Sequence, residues 1–296
     1  MSAGWAILGR VTLSTDALRA RLVADGLGRH AEALLGLAAP SLRLRPQPQP
    51  GGPLPLGATK LGGRPDLPSG WSWPRGWETS LSFIAQLNLA AITSHTEVQQ
   101  VLPRAGLLAF FYDADQQPWG FDPRDRDGFK VGFIAPGIPL RRAEFPADLP
   151  DDGRYREVGL VAEPRLTYAP WESFAVEQLG LSDGERLAYG QALADDHPDQ
   201  VIHRLLGHPD PVQGDMQLEC QLASSGIYVG DARGQHDPRA APLRAGAAEW
   251  RLLLQVDSDD AAGMLWGDVG RIYYWIRAQD LAARRFDRAW LVLQCC

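Results

Sequence analysis

The sequence predicts an α+β fold that is predominantly β: an internally duplicated, β-rich body of two related units packed as one core, with an N-terminal helical segment and helices inserted between the halves. Three observations carry it. Apolar runs of strand length, bounded by Gly and Pro, dominate from residue 81 onward. Helical periodicity is confined to the first forty residues and the middle of the chain. Several short segments recur in the same order in both halves. At 296 residues, 45% hydrophobic and 22% charged, the chain is no disordered polymer, and its core needs neither metal nor disulfide.

In residues 1–40, Ser14, Thr15 and Asp16 offer N-caps to a pattern in which Leu18, Leu22 and Val23 recur; Gly26 interrupts it and residues 30–37 resume it. This predicts a helical hairpin or one kinked helix, closed by Pro40. Residues 41–56 contain Pro46, Pro48, Pro50, Gly51, Gly52, Pro53 and Pro55, and read as an extended surface connector, because a proline has no N–H to offer a sheet interior. The body spans 57–296. Its first unit, about 57–168, has buried strands at 81–87 and 106–113 and shorter ones near 130–134, 140–144 and 157–167. In the helical insert, about 169–204, Ser182 and Glu185 form a capping box ahead of Leu187, Ala188, Ala192 and Leu193, and Pro198 ends the helix. The second unit, about 205–296, has a helix over 215–222 and strands at 250–256, 271–277 and 289–295.

Between the units, Leu61-Gly62-Gly63-Arg64-Pro65-Asp66 answers to Leu206-Gly207-His208-Pro209-Asp210 with one residue deleted. Phe83-Ile84-Ala85-Gln86-Leu87-Asn88 answers to Leu252-Leu253-Leu254-Gln255-Val256-Asp257, and Gly106-Leu107-Leu108-Ala109-Phe110-Phe111 to Gly270-Arg271-Ile272-Tyr273-Tyr274-Trp275. Each unit has few strands and needs the other, or the helices, to cover its faces.

The succession Gly62-Gly63-x-Pro65-x-Leu67-Pro68, Trp73-Pro74, Phe83 to Leu89 and Leu102-Pro103-x-x-Gly106-x-Leu108-x-Phe110-Phe111 resembles the YwqG-like family of bacterial proteins, a domain of unknown function. Leu206-Gly207-x-Pro209, Gln213-Gly214-Asp215-Met216, Leu253 to Asp259 and Met264-x-Trp266-Gly267-Asp268-x-Gly270-x-Ile272-Tyr273 match its second set of signatures, so the resemblance covers about residues 56–294. It implies a β-rich fold with appended helices and brings no established activity, cofactor or catalytic residue. The helical region before Pro40 has no counterpart in it.

A net charge of −7 opposes nucleic-acid binding, and only Lys60 and Lys130 are lysines among 29 basic residues. With three cysteines, two of them adjacent (Cys295, Cys296), no secretion signal and no apolar run of membrane-spanning length, the sequence predicts a cytoplasmic protein with no membrane partner. There is no P-loop, GxGxxG, HExxH, GxSxG or CxxC string. Asp125-Arg126-Asp127-Gly128 is no EF-hand, since Pro123 and Ile134 hold the ligand positions.

Candidate residues remain. Gln86 and Gln255 follow buried apolar runs, where an amide must find backbone or ligand partners. Asp257, Asp259 and Asp268 are weak candidates for a divalent metal, against the plainer reading that they end a strand and turn the chain. Trp73 lies in a Gly/Pro-rich loop with Trp71 and Trp77, suited to plugging the body's end or stacking on a ligand. Trp266 is the aromatic expected nearest a pocket. His208, paired with Asp210 or Asp215, has the chemistry of a general acid or base. No cofactor is expected. The preferred expectation is a non-enzymatic binding protein whose inter-repeat groove, lined by Gln86, Gln255, Asp257, Trp266 and Asp268, engages a protein segment or small polar ligand; neutralising a basic partner protein suits the acidic balance. The alternative is a hydrolase or transferase using Asp257, Asp259 or Asp268 with His208, with or without a divalent ion.

Overall fold

The computed structural model describes residues 14–47, 52–92, 100–194 and 201–295. Ten strands form one antiparallel sheet. In chain order they are β1 (Ala39–Gln47), β2 (Lys60–Leu61), β4 (Ser82–Asn88), β5 (Leu107–Tyr112), β6 (Phe129–Ile134), β8 (Val158–Thr167), β9 (His203–Leu205), β10 (Trp250–Asp257), β11 (Arg271–Arg277) and β12 (Trp290–Gln294). A separate ribbon pairs β3 (Asp66–Pro68) with β7 (Leu140–Arg142). The order in the large sheet is β12-β11-β10-β9-β1-β8-β2-β4-β5-β6. The sheet curls until it is nearly closed, and its two edges face each other through Phe129 and Trp290, whose rings meet edge-on at 5.5 Å. Near-closure hides the edge strands from further pairing.

The long apolar runs become the strands expected of them. β4 and β5 are buried along nearly their whole length, as are β10, β11 and β12, because the sheet is covered on both faces. One core cluster runs through the sheet from Leu42 and Leu44 on β1 to Leu293 on β12.

The connector is a correction. Residues 39–47 are not a surface crossing but β1, in the middle of the sheet, despite Pro40 and Pro46. β8 pairs β1 along all of it, whereas β9 reaches only Leu42 to Leu44. Both prolines flank that doubly paired stretch, so on the β9 side no carbonyl waits for the missing N–H. Pro48, Pro50 and Gly51 lie outside the described residues.

The helices form a satellite layer. α1 (Thr15–Ala24), capped by the Ser14 side chain, and α2 (Ala31–Gly36) pack with α5 (Asp183–Ala194) through Leu18, Leu22, Leu34, Tyr189 and Ala192. The predicted capping box is present: Glu185 N–H donates to Ser182 Oγ at 3.4 Å and Ser182 N–H to Glu185 Oε2 at 3.0 Å. Ser182→Ala is expected to cost about 1 kcal/mol in urea unfolding monitored by circular dichroism. Pro198, predicted to end this helix, lies outside the described residues. Among the described residues the remaining α-helices are α3 (Leu89–Ile92), α7 (Ala232–Gln235) and, framing the site, α4 (Phe174–Glu177), α6 (Gln217–Ala223) and α8 (Ala278–Ala282).

Candidate functional site

Gln86 on β4 has no exposed surface. Its Oε1 accepts the Asp66 N–H at 2.9 Å, and its Nε2 donates to the Ala58 carbonyl at 2.8 Å and to Asp66 Oδ2 at 2.7 Å. Gln255 on β10 is equally enclosed and makes the same set: Oε1 accepts from Asp210 N–H at 2.9 Å, and Nε2 donates to the Ile202 carbonyl at 2.9 Å and Asp210 Oδ2 at 3.0 Å. Each amide is thus satisfied by a carbonyl just before β2 or β9 and by the aspartate of the turn that follows it, and so fastens both ends of that short strand to the sheet. A cation completes each cluster. Lys60 Nζ donates to the Arg64 carbonyl at 2.7 Å and Arg204 to the His208 carbonyl at 2.7 Å. Burial alone would raise the Asp66 carboxyl, but hydrogen bonds from Arg142, Gln86 and Gly57 hold it below its ordinary value.

These contacts correct the expected alignment of the turns. The N–H of Gly62 bonds the Ile84 carbonyl at 2.9 Å, and that of Leu206 bonds Leu253 at 3.2 Å. Both residues are left-handed, φ +52° and +59°, so Leu206 stands where Gly62 does and no residue is deleted. Consequently His208 answers to Arg64, not to a glycine. The two amides also do not meet at a common groove. Four strands, β9, β1, β8 and β2, separate β10 from β4, and each amide faces its own turn. Phe110 and Tyr274, at the same register in their pairs, do meet across the halves, with ring centroids 5.1 Å apart.

The acids are likewise engaged. Asp257 Oδ2 accepts the Ile202 N–H at 2.9 Å, and Oδ1 lies 3.1 Å from Arg271 Nε. Asp259 Oδ1 accepts the Ala261 N–H at 2.7 Å, while Oδ2 lies 3.0 Å from His203 Nε2. Because the Asp257 N–H points at His203 Nδ1 at 3.2 Å, the imidazole proton belongs on Nε2, facing Asp259. Nothing in the sequence marks His203 as this acid's partner. Asp268 lies on an exposed turn. Among the described residues no group of three or more His, Cys, Asp or Glu could hold a metal ion. Trp266 is a core residue wedged edge-on against Tyr112 (5.7 Å) and Tyr155 (5.6 Å). Trp73 packs edge-on against Phe111 at 5.6 Å and donates its indole N–H to the Leu81 carbonyl at 2.8 Å.

Of the candidates, His208 alone lines a cleft of about 670 Å³. Its walls are Trp250 and Leu252 of β10, Trp275 of β11, Met216 and Gln217 at the start of α6, Phe174 of α4, Leu281 of α8, and Leu37 and Pro40 from the N-terminal segment. His208 Nε2 lies 2.7 Å from the Leu37 carbonyl, and burial holds the ring below its ordinary pKa. That partner is a carbonyl, and Asp257, Asp259 and Asp268 do not line the cleft, so the expected acid-and-imidazole set is not assembled.

Asp215, the other titratable group of interest on the wall, accepts N–H groups from Gln217 (3.2 Å) and Leu218 (3.5 Å) ahead of α6. Burial pushes its carboxyl up to about 6. One turn along α6, burial and the neighbouring Asp215 push Glu219 up to about 8, and its enclosed Oε2 has no hydrogen-bond partner among the described residues. In the sequence Asp215 stands out only as a possible partner of His208, and Glu219, in a short helix, carries no local signal.

Among the described residues no helix is long and apolar enough to cross a membrane. No curated protein matches the chain. A family model, Domain of unknown function (DUF1963), matches residues 59–295, the span from β2 to β12 that leaves out α1, α2, β1 and the whole connector region. With most of its length matched, the chain belongs to the DUF1963 family.

Proposed function

We propose that the protein is a non-enzymatic binding protein of the bacterial cytoplasm that holds a small amphipathic molecule in the cleft beside α6. The cleft itself carries the reading. Its volume, about 670 Å³, falls in the range of small-molecule sites, and its mostly apolar walls surround a few polar groups, His208 and Asp215 among them. The net charge of −7 speaks against nucleic acid as the occupant. The identical bonding of Gln86 and Gln255, together with the repeated turn and strand registers, supports descent of the two halves from one duplicated unit. The motifs around Gln86 and Gln255 to Tyr273 support the narrower YwqG-like assignment.

Nile red titration tests the reading. Saturable emission enhancement at one site per chain is expected, and it should disappear in Ala278→Trp, which fills the cleft from α8. Emission that never saturates, or that is the same in Ala278→Trp with its fold intact, would count against a ligand cleft.

A further inference from the structure

One patch of the sheet is finished differently in the two halves. Phe83 on β4 pairs with Phe111 on β5, and Leu252 on β10 pairs with Trp275 on β11; Leu81 and Trp250 stand two residues before Phe83 and Leu252. In the first half the chain covers this patch itself. Trp73 lays its indole against Phe111 at 5.6 Å and 75°, and anchors its N–H on the Leu81 carbonyl. In the second half the matching carbonyl, that of Trp250, accepts from the Gln217 side-chain amide at 2.9 Å and from the Arg251 guanidinium at 3.0 Å. The amide supplies a hydrogen bond but no ring. Trp250, Leu252, Trp275 and Gln217 all line the cleft, so open volume adjoins the place where the first half sets an indole. Trp275 is only 3% exposed, and its Nε1–H has no hydrogen-bond partner among the described residues.

We propose that the cleft selects ligands bearing an aromatic ring system up to indole size, whose ring lies against Trp275 as Trp73 lies against Phe111. This rests on the cleft being the ligand site and adds the chemical class of its occupant. Edge-to-face contact with Trp275 favours an aromatic ring over a saturated ring of similar bulk, because the positive rim of one ring meets the negative face of the other.

Calorimetric titration of the full chain with 2-phenylethanol and 2-cyclohexylethanol, which share one polar tail, decides it. The phenyl compound is expected to bind about three- to tenfold tighter, and tryptophol tighter again. Trp275→Leu should erase the preference, whereas Trp275→Phe should keep it. Gln217→Trp, which offers the cleft an indole of its own, should abolish binding of both alcohols and raise Tm; it serves as the control if Trp275→Leu does not fold. Equal or tighter binding of the cyclohexyl compound, or a preference that survives Trp275→Leu, overturns the aromatic assignment while leaving a ligand cleft in place. Silence from all three compounds while Nile red still saturates in the cleft likewise overturns the aromatic assignment alone. Failure of both probes removes the cleft reading with it.

Discussion

Exchange of Lys60 for methionine is expected to cost the fold about 3–5 kcal/mol, the usual penalty for removing one partner of a buried ion pair. The ammonium has no exposed surface; Nζ sits 2.6 Å from Glu157 Oε2 and 2.7 Å from the Arg64 carbonyl. Burial lowers the lysine pKa, while Glu157 and Asp66 act to restore it. Methionine keeps the apolar stem but strips Glu157 of its nearest cation, leaving Arg142 at 3.2 Å, and removes the donor to the Arg64 carbonyl. The turn that carries Asp66 loses one of its anchors at the same time, keeping those to Gln86, Gly57 and Arg142. Lys60→Arg should recover part of the loss, because Arg204 serves the equivalent turn in the second half. Urea unfolding by tryptophan fluorescence reads both; an unchanged midpoint for Lys60→Met would show the pair to be energetically idle.

Glu219→Gln has the opposite sign. The native carboxyl, raised from 4.5 to about 8, keeps a proton that the unfolded chain releases near pH 4.5. Wild-type stability associated with this group is therefore complete below pH 4.5 and drains away as pH rises toward 8. Asp215, raised from 3.8 to about 6, drains in the same direction over a lower window. An amide at 219 loses nothing over that range. Part of the Glu219 side chain keeps contact with solvent, which trims the gain to on the order of 2 kcal/mol at pH 8, vanishing below pH 4.5. Thermal melts of both proteins from pH 4 to 8 check it: the curves should diverge upward in pH, and parallel curves would mean that Glu219 ionises freely.

The sheet was legible where its strands are long. The runs around Phe83, Phe110, Leu253 and Tyr273 read as buried strands because both faces are covered, and Ser182 with Glu185 marked a helix start by local chemistry alone. Gln86 and Gln255 were recognisable as amides in need of fixed partners, since each follows a buried run. Their partners were not, because Asp66 and Asp210 are brought in by β2 and β9, two and three residues long and too short to show a period. β1 was hidden by Pro40 and Pro46, whose cost depends on where a neighbouring strand ends. The cleft depends on how α4, α6 and α8 lie over β10 and β11, which no local pattern in the chain encodes.

The position of β1 bears on how the molecule comes together as it is made. Ala39 pairs with Thr167, 128 residues later, and Leu42 waits for Leu205. Neither half can therefore be finished on its own: the early strand stays without neighbours until most of the polypeptide has been synthesised, which makes closure a late and slow step. A fragment trimmed to residues 59–295 would keep the family signature yet leave β8 and β9 with bare edges in the middle of the sheet.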